Sequence, residues 1–272
     1  MSRSYALLLP QLREKRPLVH HITNYVTVND CANITLAIGA SPVMADDMGE
    51  VADITAIAQA LVLNMGTLNE RTIPAMLKAG QRAKDRGIPI VLDPVGAGAS
   101  KLRSETAARL IRELNISVLR GNISEIKCIA GLHAETRGVD AAADDAADER
   151  CAGQLAKTLA NQLGSTVVIS GETDVISDGV RIAFVKNGIS MLGDVSGTGC
   201  MCASLIGAFL GSAAEDVFPG ALMAMVTMGV AGELAFEQAG KLGIGSFRIA
   251  LHDAVSQMDV QTLEKRGHYH EA

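Results

Sequence analysis

Aromatic side chains are almost missing from this 272-residue chain: it has no Trp, three Tyr and five Phe. Rings are the usual platforms for stacked bases and sugars, so a nucleic-acid or oligosaccharide surface built that way is a poor fit. Charge is scarce too, at 20%, with 24 Lys plus Arg against 30 Asp plus Glu and a net charge of −6. No basic stripe stands out, which argues against nucleic acid as a partner. The five cysteines, Cys31, Cys128, Cys151, Cys200 and Cys202, include no Cys-x-x-Cys pair. They read as reduced thiols of a cytoplasmic protein, not as a disulfide frame or a zinc site. Near the N-terminus the apolar run Ala6–Leu9 is too short for a secretion signal. The most apolar stretch, Gly220–Gly232, is bracketed by Pro219 and Glu233 and reads as too short to span a membrane.

What is plentiful is small and aliphatic: the chain is 48% hydrophobic, with 27 Gly and 11 Met. That composition makes intrinsic disorder a poor fit and suits close packing of helices on a sheet. Short, unalternated, β-branched runs at Leu61–Asn64, Ile88–Asp93, Ser117–Leu119 and Thr166–Ser170 predict strands buried on both faces. Helical patterns fill the gaps at Arg71–Arg86, Leu102–Leu114 and Cys151–Leu163. Strands alternating with helices predict right-handed crossovers and a doubly wound, mostly parallel sheet with helices on both faces. Asp178-Gly179, between Asp174–Ser177 and Arg181–Lys186, predicts an antiparallel hairpin at the sheet edge. Helices are expected at Thr198–Phe209, Ala214–Ala239 and Ser246–Leu263. With no repeat and no linker, residues 1–272 read as one domain. The acidic segment Asp140–Arg150 reads as a solvated loop or helix start.

Three constellations have chemical potential. Gly193-Asp194-Val195-Ser196-Gly197-Thr198-Gly199-Cys200 opens onto an apolar helix. Converging backbone N–H groups and the helix N-terminus there make a site for an anion; the plainer reading is a tight loop that starts a helix. Asp93 ends a strand and precedes Pro94-Val95-Gly96-Ala97-Gly98, at the edge where α/β sheets collect ligands; a turn or cap role is the alternative. Asn122 and Glu125 sit three apart at a helix start, beside Arg120. Glu125 is either a capping residue or, with Asp93, a holder of Mg²⁺, and Arg120 offers a donor fork to phosphate. Together they supply positioning, metal and charge stabilisation, the requirements of phosphoryl transfer.

These residues resemble the ribokinase superfamily, and most closely its hydroxyethylthiazole kinase branch. The matching stretches are His20-His21-Ile22-Thr23-Asn24-Tyr25-Val26, Ser41-Pro42-Val43-Met44, Leu63-Asn64-Met65-Gly66-Thr67, Leu92-Asp93-Pro94-Val95-Gly96-Ala97-Gly98, Arg120-Gly121-Asn122 with Ser124-Glu125, and Gly197-Thr198-Gly199-Cys200. The resemblance runs on into Gly245-Ser246-Phe247-Arg248 and covers nearly the whole chain. It implies a ribokinase-like fold and an ATP- and Mg²⁺-dependent kinase acting on the primary alcohol of 4-methyl-5-(2-hydroxyethyl)thiazole in thiamin salvage. It implies Asp93 and Glu125 as magnesium carboxylates. Arg120, Ser170, Asn122, Thr198 and Gly199 fall on the ATP side. Met44, Gly197, Asn24, Val26, Asn64 and Gly66 fall on the thiazole side. It also implies a homotrimer in which Met44 faces the partner subunit's Gly197.

Cys200 stands where the wider superfamily has an Asp base. A thiol at a helix N-terminus is expected to have a lowered pKa, which would let it orient the alcohol and take its proton late; a small packed thiol is the alternative. His20 and His21 are expected in a loop, His268 and His270 in a disordered polar tail, Cys202 in the core, and Met223, Met225 and Met228 in helix packing. Rival activities are a hydroxymethylpyrimidine kinase, a hydrate dehydratase, a hydrolase with Cys200 as nucleophile, and a non-catalytic binder.

Overall fold

The computed structural model describes residues 4–133 and 145–272. Its nine strands are β1 (Leu18–Ile22), β2 (Ser41–Met44), β3 (Ala60–Asn64), β4 (Ile90–Asp93), β5 (Val118–Asn122), β6 (Thr166–Ser170), β7 (Asp174–Ser177), β8 (Ile182–Val185) and β9 (Tyr269–Glu271). They form one sheet in the order β2-β1-β3-β4-β5-β6-β7-β8-β9. Strands β1 to β6 pair in parallel, and β7, β8 and β9 add an antiparallel edge. The helices are α1 (Leu8–Lys15), α2 (Val28–Ile38), α3 (Val51–Ile57), α4 (Thr72–Arg86), α5 (Lys101–Glu113), α6 (Ile123–His133), α7 (Asp145–Leu163), α8 (Thr198–Ser212), α9 (Val217–Ala239), α10 (Ile244–Gln257) and α11 (Val260–Arg266).

The sheet divides two cores. Val19, Val62, Val91, Val118 and Val168 pack against α1, α2 and α8–α11. Their strand neighbours Leu61, Leu63, Ile90, Leu92, Leu119 and Val167 pack against α3–α7. Alternate side chains of a strand point to opposite faces, so a strand covered on both sides reads as a continuous apolar run. The same alternation sends Asn64, Asp93, Arg120 and Ser170 to the α8 face. Helix α8 is apolar all round, and Met201–Leu210 is buried throughout, as a helix without a polar face must be.

Several expectations are corrected. His20 and His21 lie in β1, which pairs with β2 on one side and β3 on the other, and the His20 ring is satisfied by Thr55 Oγ1 at 2.9 Å and Ala45 O at 2.8 Å. Arg120, Gly121 and Asn122 belong to β5 itself, extended by pairing with β6. The expected C-terminal helix is two, split at Asp259, whose side chain accepts from Thr262 N at 2.7 Å. The tail is ordered: β9 pairs with β8, and the His270 ring stacks on Phe184 at 5.2 Å. Pro219 and Glu233 do not interrupt the apolar stretch, since proline in a first turn forfeits no helical bond. Val217–Leu242 is therefore long and apolar enough to cross a membrane, yet 83% of its most apolar window is buried inside the protein, as in a core helix. Of the acidic segment, residues 140–144 lie outside the described residues, and Asp145 onward opens α7.

Candidate active site

From β1 the chain runs outward through α2 to β2, then returns through α3 to β3 on the other side of β1. The loops after β1 and β3 consequently leave toward opposite faces, and such a switch point opens a crevice at the carboxyl ends of the strands. Asn24 and Asn64 meet there. Asn24 Nδ2 donates to Asn64 Oδ1 at 2.8 Å and also lies 3.3 Å from Cys200 Sγ. Asn64 Nδ2 donates to Asp93 Oδ2 at 2.7 Å and lies 3.3 Å from the same sulfur. Gly66 N donates back to Asn64 Oδ1 at 2.9 Å, locking the turn that follows β3.

Asp93 is fully buried, and its Oδ1 has no hydrogen-bond partner. Burial, reinforced by Glu125 and opposed by Arg120 and Asn64, pushes its carboxyl up to about 6. Arg120 Nη1 stands 3.9 Å from Asp93 Oδ1, and Nη2 donates to Ser170 Oγ at 3.0 Å. Burial works against the Arg120 charge, but Asp93, Cys202, Asp174 and Glu125 outweigh it and hold the guanidinium protonated. Asn122 and Glu125 form a reciprocal capping box: Glu125 N donates to Asn122 Oδ1 and Asn122 N to Glu125 Oε2, each at 2.9 Å. The other oxygen, Oε1, accepts from Gly96 N at 2.8 Å. The capping reading of Glu125 is thus realised, and the cap fixes its carboxylate beside the Asp93 loop.

Gly197 caps α8 at φ +91°, in the left-handed region, and a Cβ there would stand 2.5 Å from Thr27 Cγ2. At Gly199 a Cβ would stand 2.6 Å from Arg120 Nη1, so the guanidinium lies directly against the first turn of α8. Thr198 Oγ1 donates to Leu192 O at 2.9 Å. The Cys200 thiol departs from expectation. Burial, followed by the Asp93 charge, raises its pKa, and the hydrogen bonds from Thr27, Asn24 and Asn64 do not compensate. Here desolvation decides.

A cleft of about 760 Å³ runs from Arg120, Ser170 and Gly199 to Asp174, Asn187 and Gly229. Cys202 lines it although buried, as do Met225 and Met228, which remain packed in the core as expected.

Residues 9–261 match the Hydroxyethylthiazole kinase family. The chain belongs to that family. Among its relatives, the hydroxyethylthiazole kinase of Clostridium beijerinckii is 57% identical over 259 residues, covering 95% of this chain and 94% of that one. The solved structure of a hydroxyethylthiazole kinase protein from Pyrococcus horikoshii is 37% identical, with a TM-score of 0.90 over 98% of both chains. A pyridoxal kinase of Staphylococcus aureus shares the fold, with a TM-score of 0.60 at 14% identity, covering 79% of this chain and 87% of that one. The fold is ribokinase-like.

Against the family motifs, the structure brings Asn24, Asn64, Gly66, Asp93 and Cys200 into one network, and Arg120, Ser170, Thr198 and Gly199 to the neighbouring cleft. Met44 and Val26 are not drawn in. Met44 closes the outermost strand, and Val26 is 60% exposed in the turn before α2. Sequence reasoning missed Thr27, whose backbone N and Oγ1 both donate to Asn24 Oδ1 at 3.1 Å. It also missed Asp174, whose carboxyl is pushed up to about 6 by burial, against the pull of Gly171 N and Arg120. The change from parallel to antiparallel strands after Ser170 is the signal that could have found it.

Proposed function

We propose that this protein transfers the γ-phosphoryl group of ATP to the primary alcohol of 4-methyl-5-(2-hydroxyethyl)thiazole, in thiamin salvage in the cytoplasm, with residues 1–272 acting as one catalytic domain. The observation that carries this reading is the adjacency of two groups of residues. The Asn24–Asn64–Asp93–Cys200 network abuts the Arg120–Ser170–Gly199 corner across a single helix N-terminus.

In this reading ATP occupies the cleft, with its phosphates against Arg120, Ser170, Asn122 and the N–H groups of Thr198 and Gly199. The thiazole alcohol lies on the Asn24, Asn64, Gly66 and Gly197 side, where its hydroxyl meets Cys200 Sγ. A raised thiol pKa means that Cys200 acts by position and not as a ground-state thiolate. Its sulfur accepts the hydroxyl's hydrogen bond and aims the oxygen at the γ-phosphorus. A loose transition state asks little of a base. The oxygen–phosphorus bond forms, the bond to ADP breaks, and the hydroxyl proton moves late to an oxygen of the transferred group and then to water.

Asp93 and Glu125 would hold Mg²⁺. The residues fit: Asp93 Oδ1 is a buried carboxylate oxygen without a hydrogen-bond partner, and Glu125 is pinned nearby with lone pairs left for the ion's waters. Mg²⁺ takes one or two carboxylates and keeps several waters, and among the described residues no cluster of three His, Cys, Asp or Glu forms an all-protein cage. When bound, the ion neutralises charge on the phosphate oxygens. Met44 and Val26, outside the network of one chain, fit a homotrimer in which a neighbour completes the thiazole pocket.

Release of ADP from Mg-ATP by the purified protein tests the reading. ADP is expected with the thiazole alcohol and not with the hydroxymethyl-pyrimidine alcohol. The reverse preference, or thiol-dependent ester cleavage without ADP, would overturn it.

A further inference from the structure

Arg103 sits in the first turn of α5, where its backbone N–H donates to the Ser100 cap at 3.3 Å. Its guanidinium reaches back to the strand ends. Nη1 donates to Met65 O and to Val95 O, and Nη2 donates to Gly66 O. Among the described residues no carboxylate pairs with it, so three converging carbonyl dipoles balance its charge. Met65 and Gly66 belong to the loop after β3, and Val95 to the loop after β4. One side chain therefore ties the two loops together.

Both tied loops feed the site. Gly66 N holds Asn64 Oδ1, and Asn64 in turn holds Asp93 and faces Cys200. Val95 precedes Gly96, whose N–H holds Glu125 Oε1. Met65 N donates to Asp93 O at 3.0 Å, so the loops already touch through the backbone, and the guanidinium closes the far side. Arg120 and Ser170, on β5 and β6, are outside this arrangement.

We propose that Arg103 is a positioning residue. It sets the spacing between the Asn64–Gly66 corner and the Asp93–Gly96 loop, and so governs the alcohol side of the site and the two carboxylates, and leaves the Arg120–Ser170 corner alone. The assignment of sides rests on the kinase reading above; the tie itself does not. A lysine supplies one nitrogen where the guanidinium supplies two in a fixed plane, so Lys is an incomplete substitute.

The test compares wild type, Arg103→Lys and Arg103→Ala in three measurements. In calorimetric binding without the other ligand and without Mg²⁺, the Kd for the thiazole alcohol is expected to rise ~10-fold in Arg103→Ala and less in Arg103→Lys, while the Kd for ADP stays within about 2-fold. In turnover with Mg-ATP, kcat is expected to fall by ~10- to 100-fold, as small misplacements of reacting groups do. Guanidinium ion at tens of millimolar is expected to restore part of both losses in Arg103→Ala. Hydrogen exchange over residues 65–67 and 95–98 is expected to speed up while residues 197–200 keep their protection. Unchanged exchange in the two loops, or equal loss of ADP and alcohol affinity, would overturn the proposal. Should Arg103→Ala not fold, Arg103→Lys carries the same comparisons. A wild type that ignores the thiazole alcohol would sink the kinase reading, whereas the exchange measurement still judges the tie.

Discussion

Asn64 shares a single amide nitrogen between Asp93 and Cys200, 2.7 Å from the carboxylate oxygen and 3.3 Å from the sulfur. The residue that would hold the metal and the residue that would meet the alcohol thus have a common reference point. Asn64→Ala leaves Asp93 with neither oxygen paired to a side-chain hydrogen bond. An unsatisfied buried acceptor costs roughly 1–3 kcal/mol of stability. Turnover is expected to drop at least ~10-fold because both neighbours lose their fixed position. Urea denaturation and steady-state ADP release measure the two effects; a variant with wild-type kcat would contradict the shared role.

Cys200 is the second position to probe. With the thiol held protonated by burial, alkylation by iodoacetamide at neutral pH is expected to be slower than for an exposed cysteine. Cys200→Ala removes the group proposed to aim the hydroxyl and is expected to lower kcat ~10-fold or more while ADP binding persists. Cys200→Asp puts a stronger acceptor in the same place and is expected to retain or exceed the wild-type rate. Equal kcat in Cys200→Ala and wild type would remove Cys200 from the mechanism.

Legibility in the sequence followed locality. Leu61–Asn64 and Thr166–Ser170 were readable as strands because burial on both faces leaves an unbroken apolar run. Strand β1 was not, since His20 and His21 hide their burial behind polar names, and β9 exists only because β8 offers it an edge. Asp93 was legible from its place at a strand end before Pro94-Val95-Gly96. Asn24 and Asn64 were visible only through resemblance to the family, because no local rule ties two distant asparagines to one sulfur. Arg103 left no signal at all: its partners are backbone carbonyls, which any residue supplies. The thiol pKa was misjudged for a related reason, as a helix terminus is written in the sequence while desolvation is a property of the packed whole.

Gly197 and Gly199 stand two residues apart but guard different neighbours. Gly197→Ala places a side chain at φ +91°, which costs ~1–2 kcal/mol, and drives its Cβ into Thr27, the residue that holds Asn24. Gly199→Ala pushes instead on the Arg120 guanidinium. The first is expected to weaken the thiazole alcohol selectively, and the second to weaken ADP. Calorimetric titration of each ligand into each variant checks the crossover; parallel losses in both would mean that the two glycines do not divide the site.

His21 offers a test of the fold that is independent of catalysis. Its Nδ1 is 3.1 Å from Val19 O, its Nε2 has no partner, and burial, joined by the charge on His20, lowers its pKa from the ordinary 6.5 to about 4. The unfolded chain binds a proton near 6.5 that the folded chain refuses until about 4. Stability from this group is therefore complete above the unfolded value and falls as the pH drops through that window. At ~1.4 kcal/mol per unit, the loss between about pH 7 and about pH 5 is roughly 2 kcal/mol. Asp93 and Asp174 have raised values and act in the opposite sense, gaining stability as the pH falls toward the ordinary carboxylate range. The bare pH profile of wild type mixes these contributions. His21→Asn removes one of them and leaves the carboxylates in place. Urea unfolding at the two pH values, for wild type and variant, is expected to show wild type losing roughly 2 kcal/mol more than His21→Asn on acidification. Equal losses would mean that His21 takes up its proton inside the folded protein, and that the space around Nε2 is open to water.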